Sequence, residues 1–288
     1  MSQTILVTGA SGFIGSALAE ALGRGPNTVV AHRGRADGDL ADLEVVCELV
    51  KEVTPDLVFH LAAEPDRGAA LDSEDPSRAV TYMIAKNLAD VLPSYTRVVS
   101  VGSAKQYGPR STHATESEPQ RPMSLYGQVK ALAEVELARL PGCVSLRLGP
   151  VYGPGQPATG FIPVVLDRCC RGRDAFEVDP YLWSPLYIDD AVQALMATGL
   201  ALGVEGSTFN VASPETRSLA DIAHVCAVEC GWPLEEARER ISASPGSYKG
   251  YLIDARRFAT RLGWRPKVSL GDGIARCARH TRREENGE

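Results

Sequence analysis

Positive charge is scarce in this chain. Thirty Lys and Arg against 36 Asp and Glu leave a net charge of −6 over 288 residues. Proteins that grip a phosphate backbone cluster their cations, so this balance argues against a nucleic-acid partner. The seven cysteines (Cys47, Cys143, Cys169, Cys170, Cys226, Cys230 and Cys277) include no Cys-x-x-Cys pair. An odd, scattered set predicts reduced thiols in a cytoplasm, not a disulfide framework. Cys226 and Cys230 can share a helix face, but no histidine stands at ligand spacing, so packing is expected there and no metal site. No apolar run reaches the ~18 residues of a membrane helix. The chain opens straight into a strand-like run with no visible secretory leader. Repeats and low-complexity tracts are missing too. A hydrophobic content of 44% then fits an ordinary soluble globular fold, one large α/β domain or a core with a smaller cap.

Against that background one stretch stands out: Thr8-Gly9-Ala10-Ser11-Gly12-Phe13-Ile14-Gly15. It follows the apolar run Ile5-Leu6-Val7 and precedes an amphipathic segment, so a strand ends, the backbone turns and a helix begins. Gly9 permits the tight turn, Gly12 lets a pyrophosphate approach the backbone, and Gly15 lets the helix lie close to the strand. The helix N-terminus offers unpaired N–H groups to the phosphates. The spacing is GxxGxxG, not GxGxxG, but the strand–turn–helix context of a dinucleotide site is present. Further strand-like and helix-like segments alternate through the first half, which predicts a doubly wound parallel sheet. The strands read at 28–31, 57–61, 97–101 and 144–148, and the helices at 42–53, 71–92 (interrupted near Asp75-Pro76) and 124–140. Later pieces are a helix at 161–171, an extended Leu186-Tyr187-Ile188, helices at 190–202 and 219–230, a strand at 209–211 and a helix near Ile274. Residues 279–288 read as a frayed, charged tail.

Tyr126-Gly-Gln-Val-Lys130 opens the helix at 124–140. An i, i+4 pair shares a helix face, so phenol and ammonium can flank one small volume. A free tyrosine titrates near ~10, and a fixed cation favours its phenolate; a shift of ~3 units needs about 4 kcal/mol. Ser103 lies just past the carboxyl end of a buried strand, where open α/β sheets place ligands.

Glycine turn, Ser103, Tyr126 and Lys130, in that order, resemble the extended short-chain dehydrogenase/reductase family, which includes nucleotide-sugar epimerases, dehydratases and ketoreductases. The resemblance implies a Rossmann-type α/β fold with a smaller C-terminal substrate-binding cap. It places residues 1–152, rejoined by about 186–212, in an NAD(P)-binding domain, 153–185 and 213–280 in the cap, and 281–288 in the tail. It also implies that Ser103 bonds the reacting oxygen, that Tyr126 moves the proton, and that Lys130 tunes Tyr126 and bonds the ribose. Gly38-Asp39-Leu40 is similar to the family's adenine-contacting stretch, and Leu61-Ala62-Ala63 to the small-residue wall beside the cofactor; His60 is expected to pack. A homodimer through the helices at 71–92 and 124–140 is implied as well.

Cofactor choice is read at the end of the second strand. NAD sites usually carry Asp or Glu there, whereas this chain has His32-Arg33-Gly34-Arg35. Arg33 or Arg35 can pair with a 2′-phosphate, so NADP (NADPH) is expected, with NAD the alternative. The resemblance narrows the reaction. The 4,6-dehydratases carry an Asp-Glu pair directly after the serine or threonine; this chain has Ala104-Lys105. Enzymes similar to GDP-fucose synthase use a Cys and a His, and Thr159 to Pro163 has no histidine. The expected function is an NADPH-dependent ketoreductase on a nucleotide-linked 4-keto-6-deoxy sugar or another natural-product ketone. The alternatives are an NAD-dependent nucleotide-sugar 4-epimerase and, further off, a non-catalytic dinucleotide sensor. Two departures bear on the substrate: Pro150 stands where the family often has Asn, and Trp183 is nearest to a usual Arg. Another phosphate clamp is then expected from Arg168, Arg171, Arg173, Lys249 or Arg256, or else a substrate without a diphosphate stacking on Trp183. Asp189 and Asp190 are expected to cap and charge the following helix.

Overall fold

Ile5-Leu6-Val7, Leu57-Val58-Phe59 and Val98-Val99 are apolar at consecutive positions, a pattern that suits parallel strands covered on both faces. The computed structural model describes residues 3–25, 28–32, 34–64 and 75–286, and at 28, 32, 35 and 283–286 the backbone alone. In it these runs become β1 (Thr4–Thr8), β3 (Leu57–His60) and β4 (Arg97–Ser103). β2 (Thr28–His32) and β5 (Cys143–Leu148) flank them. Between the strands lie α1 (Phe13–Gly23), α2 (Leu43–Val53), α3 (Val80–Val91) and α4 (Leu125–Leu137). A strand β6 (Val151–Tyr152) leads into α5 (Phe161–Arg171), β7 (Phe176–Val178) and β8 (Tyr181–Trp183). The chain then passes through β9 (Leu186–Tyr187) and α6 (Ile188–Leu200) to β10 (Thr208–Val211). The last part holds β11 (Arg217–Ser218), α7 (Leu219–Glu229), α8 (Leu234–Arg240), β12 (Ile241–Ala243), β13 (Lys249–Gly250), α9 (Arg256–Leu262) and α10 (Leu270–Asn286).

The main sheet has six strands in the order β2-β1-β3-β4-β5-β10, all parallel. From β1 the chain steps outward to β2, then crosses back to β3 on the other side. That reversal puts a crevice at the carboxyl ends of β1 and β3, the place where such sheets bind ligands. Ile5, Val7, Phe59, Val99 and Leu146 face α1 and α6, while Leu6, Val58 and Val98 face α2, α3 and α4. The first of these cores runs on without a break into α5, α7 and α10 through Ile162, Ile222 and Ile274. β9 pairs with β6, and β10 adds to β5 with Thr208 opposite Ser145.

Several sequence expectations change here. Residues 65–74 lie outside the described residues; beyond them a 3-10 turn at Pro76–Arg78, capped by Asp75, precedes α3. The C-terminal segment is helical to Asn286, because Ile274, Cys277 and Ala278 bury one face of α10. Asp189 and Asp190 sit inside the first turn of α6, whose N-cap is Tyr187. Asp190 is buried and accepts from the backbone N–H of Lys267 (2.9 Å) and Val268 (3.0 Å), so it ties the C-terminal segment down and caps no helix. Not all thiols are free: Cys170 and Cys230 form a disulfide, with Cα atoms 5.2 Å apart, between the end of α5 and the residue after α7. Sequence separation hid this pair. Cys226 packs in the core, as expected. Among the described residues no group of side chains is arranged to hold a metal, and no helix is long and apolar enough to cross a membrane.

Candidate active site

Gly9 turns the chain out of β1 with φ +73°. A Cβ there would stand 2.6 Å from the Ala62 backbone nitrogen, so glycine is required both by conformation and by the segment crossing after β3. The Gly12 N–H closes the turn onto the Gly9 carbonyl at 2.9 Å. A Cβ on Gly15 would overlap that same carbonyl, so α1 begins pressed against the turn. Gly12 differs. Its missing Cβ would meet only the Gly9 oxygen, at 3.2 Å, and the rest of that face is open. Gly12 is the N-cap of α1 and supplies no side chain to the first-turn N–H groups, and that turn carries no acid. An open glycine face over uncapped donors at a helix N-terminus fits a diphosphate.

The other cofactor-side residues surround this turn. The Thr8 hydroxyl bonds His60 Nδ1 at 2.8 Å and accepts the Ala62 N–H at 3.3 Å. Burial, then the charge of Lys130, push the His60 pKa down to about 3. The ring is therefore a neutral strut, as its position in the sequence suggested. Leu61 and Ala62 are half-buried and Ala63 exposed. Asp39 accepts the Ala41 N–H at 3.0 Å, and Leu40 is buried. Asn87 of α3 donates to the carbonyls of Leu40 (3.0 Å) and Ala41 (2.9 Å), which fixes this stretch. Ser11 is exposed, Phe13 and Ile14 half-buried. Arg33 lies outside the described residues; Arg35 opens a 3-10 turn, Arg35–Asp37.

Ser103 ends β4 and caps a 3-10 turn, Ala104–Tyr107. Its Oγ accepts the Lys105 N–H at 3.2 Å, while its own N–H donates to Gln106 Oε1 at 2.6 Å. A hydroxyl oxygen engaged by backbone N–H is left with its proton to donate. α4 starts against this turn: a Cβ on Gly127 would lie 2.7 Å from the Lys105 carbonyl and 3.0 Å from Pro122 Cβ. Ser124 caps α4 by accepting the Gly127 N–H at 3.1 Å. Tyr126, half-buried, is the residue before that contact. Lys130, one turn on, is only 6% exposed. Burial lowers its pKa to about 8, and the carboxylate of Glu134 opposes that shift.

Ser103 lines a cavity of about 540 Å³ walled by Lys105, Phe161, Tyr181, Trp183 and Tyr251. Trp183 meets Phe161 edge-on, with ring centroids 5.3 Å apart, so it packs and lines the cavity at once. The Lys105 ammonium lies 5.2 Å from the Tyr251 ring centroid. None of the five expected phosphate-clamp residues lines it. Arg168 lies over Phe176, Arg171 pairs with Asp167, Arg173 with Glu236 and Arg256 with Asp254, and Lys249 is exposed on β13. Larger clefts of about 640 and 670 Å³ lie around α9, and no residue of the glycine turn, nor Ser103, Tyr126 or Lys130, lines them.

Behind the cavity is a buried polar cluster that the sequence reading missed. Arg147 in β5 is 5% exposed and forks onto Glu134 of α4 through Nε (3.0 Å) and Nη2. Gln106 donates to Glu134 at 3.0 Å, and Gln120 donates to Glu134 at 2.9 Å. Arg147 also donates to the Tyr107 hydroxyl, which donates to Asn210 of β10 at 3.0 Å. One signal was available: an arginine inside the buried strand Cys143–Leu148 demands a buried acid.

A model of the NAD dependent epimerase/dehydratase family matches residues 5–212. The dTDP-glucose 4,6-dehydratase of Xanthomonas campestris pv. campestris is 28% identical, over 94% of this chain and 91% of that protein. The UDP-glucose 4-epimerase of Mycolicibacterium smegmatis is also 28% identical, over 94% of this chain and 96% of its own length. Among solved structures, MoeE5 in complex with UDP-glucuronic acid and NAD superposes with a TM-score of 0.80 at 25% identity, covering 97% of this chain and 99% of that one. Fold, glycine turn and matched span agree: this chain belongs to the NAD-dependent epimerase/dehydratase family, enzymes of the extended short-chain dehydrogenase/reductase type.

Proposed function

We propose that this chain oxidises and reduces a single ring carbon of a nucleotide-linked hexose, and that its net reaction is 4-epimerisation. The observation that carries the reading is the placement of Ser103. Its hydroxyl stands at the carboxyl end of β4, in an aromatic-walled cavity, beside the first turn of the helix that bears Tyr126. The related epimerase and the UDP-sugar complex of MoeE5 support the substrate class. Dehydration is disfavoured, because Ala104-Lys105 puts no carboxylate directly after Ser103.

The glycine turn, with Gly9, Ser11, Gly12, Phe13, Ile14 and Gly15, holds the diphosphate of a nicotinamide dinucleotide. Asp39 and Leu40 would lie on its adenine side, and Leu61, Ala62 and Ala63 would help to hold it. When bound, that cofactor supplies hydride acceptance and donation. The chain's own residues handle the proton and the oxygen. Ser103 donates a hydrogen bond to the reacting oxygen, Tyr126 takes or returns its proton, and the Lys130 ammonium favours the phenolate. Phe161, Tyr181, Trp183 and Tyr251 exclude water.

A second reading, NADPH-dependent reduction of a keto sugar, is favoured by one observation: no acid stands in His32-Arg33-Gly34-Arg35. The epimerase reading takes NAD, the cofactor in the MoeE5 complex. One experiment separates the two. Purified chain is incubated with UDP- and dTDP-hexoses plus NAD⁺, and with 4-keto sugars plus NADPH, following sugars by NMR and absorbance at 340 nm. Inverted sugar without net absorbance change supports epimerisation. Stoichiometric NADPH loss supports reduction, and neither outcome in any mixture overturns both. We also infer a homodimer through α3 and α4, where Val135 is 63% exposed; a monomer mass by light scattering would refute it.

A further inference from the structure

Glu134 is 9% exposed and touches neither the cavity nor the glycine turn. Each of its oxygens accepts two hydrogen bonds: Oε1 from Gln120 and Arg147, Oε2 from Gln106 and Arg147. That fills the four lone-pair positions of a carboxylate and fixes its plane. Gln106, fully buried, therefore has one sensible orientation. A carboxylate only accepts, so the amide nitrogen must face Glu134, which turns Oε1 toward the Ser103 N–H at 2.6 Å. The fit is close. A Cβ on Gly102 would overlap Gln106 Oε1 and stand 3.4 Å from Glu134 Oε2 and from Arg147 Cγ. Along the helix, Glu134 follows Lys130 by one turn.

We propose that Glu134 is a positioning residue for the reaction: it orients Gln106, which fixes the Ser103 turn, and it sets its charge one helical turn from Lys130. The proposal rests on the reading of Ser103 and Lys130 given above. Glu134, on the same helix, acts on the Lys130 charge, while the buried His60 ring from β3 is neutral. Arg147, behind Glu134, is already forked onto it. One carboxylate thus serves two cations and leaves the reacting side positive. Burial pushes Lys130 toward its neutral form, and Glu134 resists. A neutral amide at 134 would drop that resistance and also let the Gln106 amide turn over.

The test uses the full chain, Glu134→Gln and Gln106→Met. Hydrogen exchange without ligand is read over residues 97–107. Both variants should speed exchange at 103–107 by about tenfold while the β4 interior stays protected. Dinucleotide affinity against pH gives the second readout. Binding should weaken as Lys130 deprotonates, near pH 8 in the parent chain and at lower pH in Glu134→Gln only. In turnover, kcat should fall about tenfold or more in both at an unchanged KM. Unchanged exchange at 103–107, protection lost equally across β4 and α4, or the same pH limb in Glu134→Gln would overturn the proposal. A parent chain inert toward every sugar nucleotide would overturn the functional reading instead, and the exchange and affinity arms would still decide on Glu134.

Discussion

Lys130 shows how one residue sets reactivity and stability against each other. Its pKa falls from 10.5 to about 8 on folding, so the folded state binds fewer protons than the unfolded chain between those values. Stability therefore rises with pH from about 8 to 10.5, and below 8 the full cost of burying the charge, roughly 3 kcal/mol, is present. Lys130→Met should raise the melting temperature at pH 7 and still abolish turnover; a destabilised variant would refute this. His60 acts at the other end of the scale. Its folded pKa of about 3 against 6.5 means that stability is lost as pH falls through that interval, which an acid titration followed by circular dichroism will register. Tyr126→Phe should lower turnover by about 10³-fold, within the range for a lost acid–base group, yet leave dinucleotide binding intact by calorimetry. Turnover near that of the parent chain would remove the phenol from the mechanism.

At the scale of elements, the contact between α4 and the turn after β4 matters most. Gly127 makes it possible, since a Cβ there would lie 2.7 Å from the Lys105 carbonyl. Gly127→Ala should push α4 off the turn that follows Ser103, lowering kcat while costing about 1–3 kcal/mol in stability; unchanged kcat would show that the contact does not set the geometry. The elements themselves were legible in the sequence. Consecutive apolar positions marked β1, β3, β4 and β5, and the glycine turn marked where β1 hands over to α1. The placement of Ser103 at a strand end and of Tyr126 and Lys130 on the helix that follows was legible too. The cluster around Glu134 was not. Its partners lie between 13 and 28 residues away in sequence, at Gln106, Gln120 and Arg147, and periodicity reports only what one element does. Asp190 was legible only in part: it does place an acid in the first turn of α6, but its hydrogen-bond partners, at Lys267 and Val268, are far off in sequence.

Across the whole molecule, the Cys170–Cys230 bond closes a loop with a sequence separation of 60 and joins α5 to the end of α7. Loop-closure entropy puts its contribution at about 4 kcal/mol. Reductant, or Cys170→Ser, should lower the melting temperature without changing dinucleotide affinity; an unmoved melting curve would show that the bond adds nothing. The same distance in sequence explains why the pair was not foreseen, as thiol spacing carries no information about which helices meet.

The sheet closes out of order. Five strands are complete by Leu148, but β5 keeps an open edge until β10, at Thr208–Val211, pairs with it. On a ribosome, about sixty further residues must be made before that edge is covered. With β10 comes Asn210, the hydrogen-bond acceptor for Tyr107, so the scaffold behind Ser103 stays unfinished through the same interval. A nascent chain stalled before Thr208 therefore carries every residue proposed for catalysis and still lacks the last support of the turn that bears Ser103.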